Sequence, residues 1–423
     1  MTTPPDTAAA SRLSRLSRLR ASARRVALAI DARTPLGRDR GLDGLRALAL
    51  LAVPTGHWLV GGFTLDADGA LRNASPLTAL PFLAPVSWLL QLLGIFFLVG
   101  GYASARSYGR AARSGVPATE WLRSRLLRLG RPVLAVAAVW AVLVTVLHAA
   151  GVPAATVRTA ATLVIQPLWF VGVYAFITAL TPWCLRAARR LGPLSAGILL
   201  VTVAAVDFLR YGPYADAVPG WVSLVNLLAG WLFGYQLGVC WSEHRLSRRT
   251  ALALLAGGAA LFATLLLAFG YPVSMVGVPG EGRTNAHPPS LLVVALAAAQ
   301  CGAAVLLRDR IGRALLRPAL WAPVVAVNLC ALTILCWHQT AMLATAIPGS
   351  FLGALPGLTT APQSTEWVLA RLLWLPVFAL VLALIARYTR RFEGPWTGAG
   401  RARGVIASVL AAVFAAFALG FVS

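Results

Sequence analysis

Apolar runs of one recurring length govern what this chain can fold into. A bilayer core is about 30 Å thick, so a helix rising 1.5 Å per residue needs about 20 mostly apolar residues to cross it. Eleven runs meet that measure, centred near Leu51, Ile95, Val139, Tyr174, Val201, Gly230, Leu261, Leu296, Ala331, Val377 and Val413. Short polar or Pro/Gly-rich connections separate them, with no long soluble insertion and no internal repeat. Composition agrees: 58% of the residues are hydrophobic and 12% are charged, against about 25% charged in a soluble domain. The expectation is an all-α polytopic integral membrane protein with about eleven transmembrane helices, a ten-helix core plus one C-terminal helix. Residues 1–40 read as a basic cytoplasmic tail, 41–396 as the transmembrane domain, and 397–423 as a cytoplasmic loop and the extra helix.

A net charge of +23 invites a nucleic-acid reading. Its distribution argues against one. The segment before the first run is dense in arginine from Arg12 to Arg40, the next connection holds only Arg72, and the third holds Arg106, Arg110, Arg113, Arg123, Arg125, Arg128 and Arg131. Arg158, Arg210 and Arg283 then stand alone, alternating with the clusters at 186–190, 245–249 and 308–317, and the 348–365 connection has no arginine. Positive residues near span ends stay on the cytoplasmic side. The N-terminus is therefore expected in the cytoplasm and the C-terminus, after eleven spans, outside. The charge decorates one face of a multi-pass plasma-membrane protein and meets membrane lipid, not nucleic acid.

No signal-peptide pattern precedes the first run. Ser11-Arg12-Leu13 and the two further Ser-Arg-Leu triplets read either as a flexible basic tail or as an interfacial helix on anionic lipid. Cys184, Cys240, Cys301, Cys330 and Cys336 form no close pair, which supports neither a disulfide framework nor a metal site.

Ionisable groups at membrane depth cost about 2.5–3.5 kcal/mol each on insertion scales and point to function. His57 lies well inside the first run and His338 inside the ninth. Asp207 and Arg210 sit three apart and read as an ion pair along one helix. Arg371 either snorkels outward or serves an anionic acceptor. Arg46 and His57 are eleven residues apart. On a helix that is a rise of about 16 Å, with the two side chains within about 20° of one face. A cation and an imidazole thus share one stripe, with Asp43 nearby and Pro54 between them.

These residues resemble the membrane acyltransferases of acyltransferase family 3, which O-acylate sugars, surface polysaccharides and some secondary metabolites. The resemblance rests on Leu42-Asp43-Gly44-Leu45-Arg46-Ala47 with His57 and on Ile95-Phe96-Phe97-Leu98-Val99-Gly100-Gly101-Tyr102. It continues through Arg125 and Arg128 with Pro132, Leu168-Trp169-Phe170 with Tyr174, and Thr284-Asn285-Ala286-His287-Pro288-Pro289 with Gln300. It closes with Trp337-His338-Gln339 and Arg391-Phe392-Glu393 with Pro395. The family usually has serine at the position of Gly100.

The resemblance implies transfer of an acetyl or other short acyl group from cytoplasmic acyl-CoA, a co-substrate, to a hydroxyl of a carbohydrate or related acceptor, with no bound cofactor. It implies His57 as general base and Arg125 and Arg128 as donor-binding residues with Arg46 close by. Asp43 either orients Arg46 or is a helix-start carboxylate favoured by the dipole. Trp169 and Tyr174 line a substrate channel or simply pack, Asn285 bonds an acceptor hydroxyl or caps its loop, and His338 forms a second polar wall. Two rival classes are a transporter or flippase of a polar or lipid-linked solute, for which paired broken helices in inverted repeats are not found, and a structural or signalling membrane protein. There is no GxSxG elbow for a covalent serine enzyme.

The alternation of arginines is tested by topology reporters. A reporter fused after Pro81 is expected to read outside and one fused after Gly115 inside; swapped signals would overturn the orientation.

Overall fold

A computed structural model of the protein describes residues 7–213, 215–278 and 282–394, with isolated positions between 404 and 412. The main helices are α1 (Thr7–Ala32), α2 (Arg40–Val60), α3 (Leu93–Arg113), α4 (Ala118–Ala149), α5 (Ala154–Ile165), α6 (Leu168–Ala179) and α7 (Thr181–Leu191). They continue as α8 (Leu194–Tyr211), α9 (Ser223–Ser242), α10 (Arg248–Ala268), α11 (Leu291–Ala314), α12 (Pro318–Leu329), α13 (Ala331–Ser350) and α14 (Thr365–Thr389). Among the described residues, eight helical segments are long and apolar enough to cross a membrane, or nine if the bent pair α12–α13 is one span. The count of eleven is not reached, for two reasons. The first run is the 21-residue helix α2, which is long enough but carries Arg40, Asp43, Arg46 and His57 and is not among the eight. The last, centred near Val413, lies outside the continuously described residues.

Helices in a bilayer gain little from hiding apolar surface from one another, so close packing of small residues holds them together. Helices α3 and α9 show this. A Cβ on Gly101 would lie 2.0 Å from the Tyr235 carbonyl oxygen, and one on Gly238 would lie 1.9 Å from that of Leu98. Gly234 and Gly238 are four apart, one turn, so both face α3.

Buried polar groups tie the bundle elsewhere. Asp207 of α8 accepts from Asn226 Nδ2 at 2.8 Å, Tyr271 Oη at 2.9 Å and the backbone N–H of Leu291 at 2.7 Å. It therefore supplies an acceptor at the open N-terminus of α11, where orphan N–H groups need one. The expected pair with Arg210 does not form. Arg210 stacks over the Tyr211 ring at 4.9 Å, because the Asp207 carboxylate is turned inward onto three donors.

One short hairpin breaks the all-helical pattern. Gly62–Leu65 pairs antiparallel with Leu71–Ala74, in the register Phe63 with Asn73. Its turn is closed by Asp66, whose carboxylate accepts from Ala70 N at 2.8 Å and from Arg72 Nε at 2.9 Å. The Arg72 bond, with the backbone donors, holds the Asp66 carboxyl below the usual carboxylate range. Arginines from distant segments gather at the other end. Arg308 of α11 reaches Asp39 before α2, Arg40 reaches Asp31, and Arg131 reaches the Gly394 carbonyl. Helix α1 packs along α12, and Trp321 Nε1 donates to Thr34 Oγ1 at 2.7 Å.

Gly238→Ala is expected to destabilise the solubilised protein by about 1–3 kcal/mol, because backbone must move to admit the methyl group. Gly257→Ala on α10, where nothing lies within 4 Å, should hold or raise stability by up to about 1 kcal/mol. Thermal unfolding in detergent compares the two; equal losses would refute the packing role.

Candidate active site

Helix α2 carries His57 one turn before its end, and two side chains, Trp58 and Arg371, fix that turn. Trp58 Nε1 donates to the His338 carbonyl at 3.0 Å. Arg371 of α14, fully buried, donates to the carbonyls of Trp58 at 2.7 Å, Gly357 at 3.0 Å and Gly61. Its guanidinium also sits 4.9 Å from the Phe378 ring centroid. Arg371 thus does not snorkel, and it lines neither of the two cavities described below. It supplies donors and positive charge at the carbonyl end of α2, where orphan acceptors and the helix dipole favour a cation.

His338 is presented by α13, which starts at a 79° break after α12. The break frees backbone N–H groups, and the Glu393 carboxylate accepts from Thr333 N at 2.7 Å in the first turn of α13. The two imidazoles then meet, with His57 Nδ1 2.7 Å from His338 Nε2 and the ring centroids 4.9 Å apart.

The hydrogen-bond network assigns the tautomers. His338 Nδ1 lies 2.8 Å from the Leu335 carbonyl and 3.2 Å from that of Ile334. Carbonyls only accept, so His338 Nδ1 bears the proton. In the neutral pair His338 Nε2 is then an acceptor, and His57 Nδ1–H donates to it. His57 Nε2 keeps its lone pair.

His57 lines a cavity of about 410 Å³ shared with Asn73, Gln166, Trp169, His287 and Gln339. The hairpin and the loop before α11 wall it, so it lies towards the arginine-poor end. His287 stands edge-on to Trp169, centroids 5.0 Å apart. Burial, with a smaller contribution from His57, pushes the His287 imidazole down to about 4.

Arg46 faces a second cavity of about 310 Å³ on the arginine-rich side, lined also by Arg33, Arg38, Asp43, Trp321 and Asn328. Arg46 Nε donates to Asn328 Oδ1 at 2.5 Å. Asp43 does not orient Arg46 directly, since its carboxylate is taken by Arg38, Nη2 to Oδ1 2.9 Å. The link runs through Asn328, whose Nδ2 donates to the Asp43 carbonyl at 2.9 Å.

The other expected residues are distributed as follows. Trp169 lines the His57 cavity, whereas Tyr174 does not; it is within electrostatic reach of both Arg46 and Arg125. A Cβ on Gly100 would lie 2.9 Å from the Tyr174 ring, so here Tyr174 occupies the space that a serine would need. Arg125 is half-buried, bonded to Ser107 Oγ and 5.9 Å from the Trp121 ring centroid, and Arg128 is exposed; neither lines the two cavities. Asn285 is buried and faces its own loop. Its Nδ2 donates to the carbonyls of Pro272 at 2.6 Å and Ser274 at 2.8 Å, and its Oδ1 accepts from Ser290 at 2.7 Å. Asn328, Gln166, Trp231, the contact of Glu393 with Thr333 and the clamp role of Arg371 were not legible in the sequence, because nothing local marks a residue that becomes important only through a distant helix.

Membrane-length helices around an imidazole pair and two cavities define a multi-pass membrane protein with a polar site among its helices. A family model of the acyltransferase domain, acyltransferase family 3, matches residues 39–390, and the chain belongs to this family. No curated protein and no solved structure matches the chain.

Arg371→Leu is expected to cost at least about 2 kcal/mol of stability, since hydrogen bonds from a charged donor to three buried carbonyls are lost. Arg72→Leu, which removes a surface ion pair, should leave the thermal midpoint close to that of the wild type. Detergent thermal unfolding decides; equal effects would refute the clamp.

Proposed function

We propose that the protein is an O-acyltransferase that moves an acetyl or other short acyl group from cytoplasmic acyl-CoA to a hydroxyl of a carbohydrate or related acceptor. The observation that carries this reading is the His57–His338 contact, which leaves His57 Nε2 as a base on a cavity large enough for a small acceptor. In the reaction His57 Nε2 takes the proton of the acceptor hydroxyl as its oxygen attacks the thioester carbonyl carbon. A C–O bond forms, the C–S bond breaks, and the proton passes from His57 to the departing CoA thiolate. His338 positions the ring, because its Nε2 goes on accepting from His57 Nδ1–H while His57 carries the added proton.

The donor is assigned to the arginine-rich end. Arg46, Arg125 and Arg128 supply guanidinium groups for the CoA phosphates, and Arg33 and Arg38 share the Arg46 cavity. The acceptor is assigned to the other end, where the His57 cavity lies among the hairpin and the α11 loop. Transfer then takes place at His57, with the thioester arm of the donor running along α2 over the roughly 16 Å that separates His57 from Arg46. Both assignments use the plasma-membrane orientation expected from the arginine alternation.

The test replaces the gene in its host. Acyl-group profiling of surface glycans and secreted metabolites by mass spectrometry should show products lost on deletion and not restored by His57→Ala at equal protein level. His57→Gln, which hydrogen-bonds without exchanging a proton, should lower the initial rate about 10²- to 10⁴-fold. An acyl profile unchanged by deletion would overturn the reading in favour of a transporter. Near-normal turnover in His57→Gln would remove the general-base assignment.

A further inference from the structure

The His57 cavity contains two polar atoms that the protein itself leaves without partners. The indole Nε1 of Trp231 and the amide Oε1 of Gln339 are buried and make no hydrogen bond, with their residues 2% and 4% exposed. Both residues line the cavity that His57 lines. Buried donors and acceptors in native proteins are nearly always paired, and an exception calls for an explanation. Here the two orphans are complementary, because an indole N–H only donates and an amide oxygen only accepts. They also come from different helices, α9 and α13, which argues against a single local packing fault.

Their neighbours hold them in place. The Trp231 ring stacks on Phe97, centroids 5.5 Å apart and planes 22° from parallel, so the indole has little freedom to turn its N–H towards a protein acceptor. Gln339 follows His338 directly on α13 and is placed by the same helix start that brings His338 to His57.

We propose that Trp231 and Gln339 form the acceptor-recognition pair of this cavity, the indole N–H donating to, and the amide oxygen accepting from, oxygen substituents of a polyol beside the hydroxyl held at His57. The pair favours a polyol over a simple aliphatic alcohol. One hydroxyl must reach His57 Nε2, and a further oxygen bearing a hydrogen is needed to satisfy an N–H and a C=O together. Asn73, Gln166 and Thr284 on the same walls extend the polar lining that such an acceptor meets. The assignment rests on the acyltransferase reading, and it concerns specificity, since neither residue moves a proton.

A site built to bond a ligand is unlike a structural pair in one measurable way. Removing an orphaned polar group relieves the unliganded protein of a buried liability, whereas removing a structural hydrogen bond destabilises it. Trp231→Phe keeps the ring stacked on Phe97 without the N–H, and Gln339→Met keeps the length without the amide. Each variant is expressed in the deletion host at matched protein level. The initial rate of acylated-product appearance after induction is followed by mass spectrometry, and the thermal midpoint of the purified protein is measured. Each substitution should lower the rate about tenfold, the double variant further, with the midpoint equal to wild type or higher. Wild-type rates in both single variants would overturn the pair while leaving the acyltransferase reading intact. Rate and midpoint falling together in both would also overturn it, by showing a structural role. No product difference between wild type and deletion would overturn the acyltransferase reading, and this assignment with it.

Discussion

A helix break at membrane depth sets the geometry on which the rest of the site depends. Backbone N–H and C=O groups inside a bilayer have no water to bond, so a broken helix survives only where protein groups replace the lost ladder. At the α12–α13 bend those groups come from far away in the chain. Glu393 accepts at the start of α13, and Arg46 of α2 donates to the backbone carbonyl of Asn328, in the last turn of α12, at 3.4 Å as well as to its side chain. Satisfying the break therefore also locks α2 against it. The same bend brings His338 to His57, although the two are 281 residues apart in the chain.

Helix α2 is held at both ends by polar side chains rather than by grease. Near its start Arg46 meets Asn328, and near its end Arg371 closes the last turn through the Trp58 and Gly61 carbonyls. A buried guanidinium is costly when unpaired. Arg371 has carbonyls and aromatic faces instead of a carboxylate, which suits a helix terminus because carbonyl oxygens and the dipole there both attract a cation. The consequence is a short, fixed lever between the two cavities, one lined by arginines and the other by aromatic and amide side chains.

Several charged residues turn out to be ties rather than sites. Asp207 collects three donors from α9, the α10–α11 loop and the start of α11, and so braces the loop that carries Thr284 and His287 to the His57 cavity. Asn285 braces that loop from within. In both cases the local sequence offers a polar residue near a span end, and only the folded neighbours decide between binding a ligand and closing a turn.

The sequence by itself determined what one-dimensional spacing can carry. Bilayer thickness and helix rise set the run length, the arginine pattern grouped the connections into two sets, and the interval of eleven residues placed Arg46 and His57 on one stripe of α2. The motifs in their order were sufficient to mark the family. What only the tertiary structure decided is which partners those groups meet. That Arg371 clamps α2, that Asp43 serves Arg38 and not Arg46, and that His338 fixes the tautomer of His57 all depend on helices brought together from opposite ends of the chain. Side-chain contact acts over a few ångströms, and no local pattern in a sequence records which distant helix will supply the other half of a hydrogen bond.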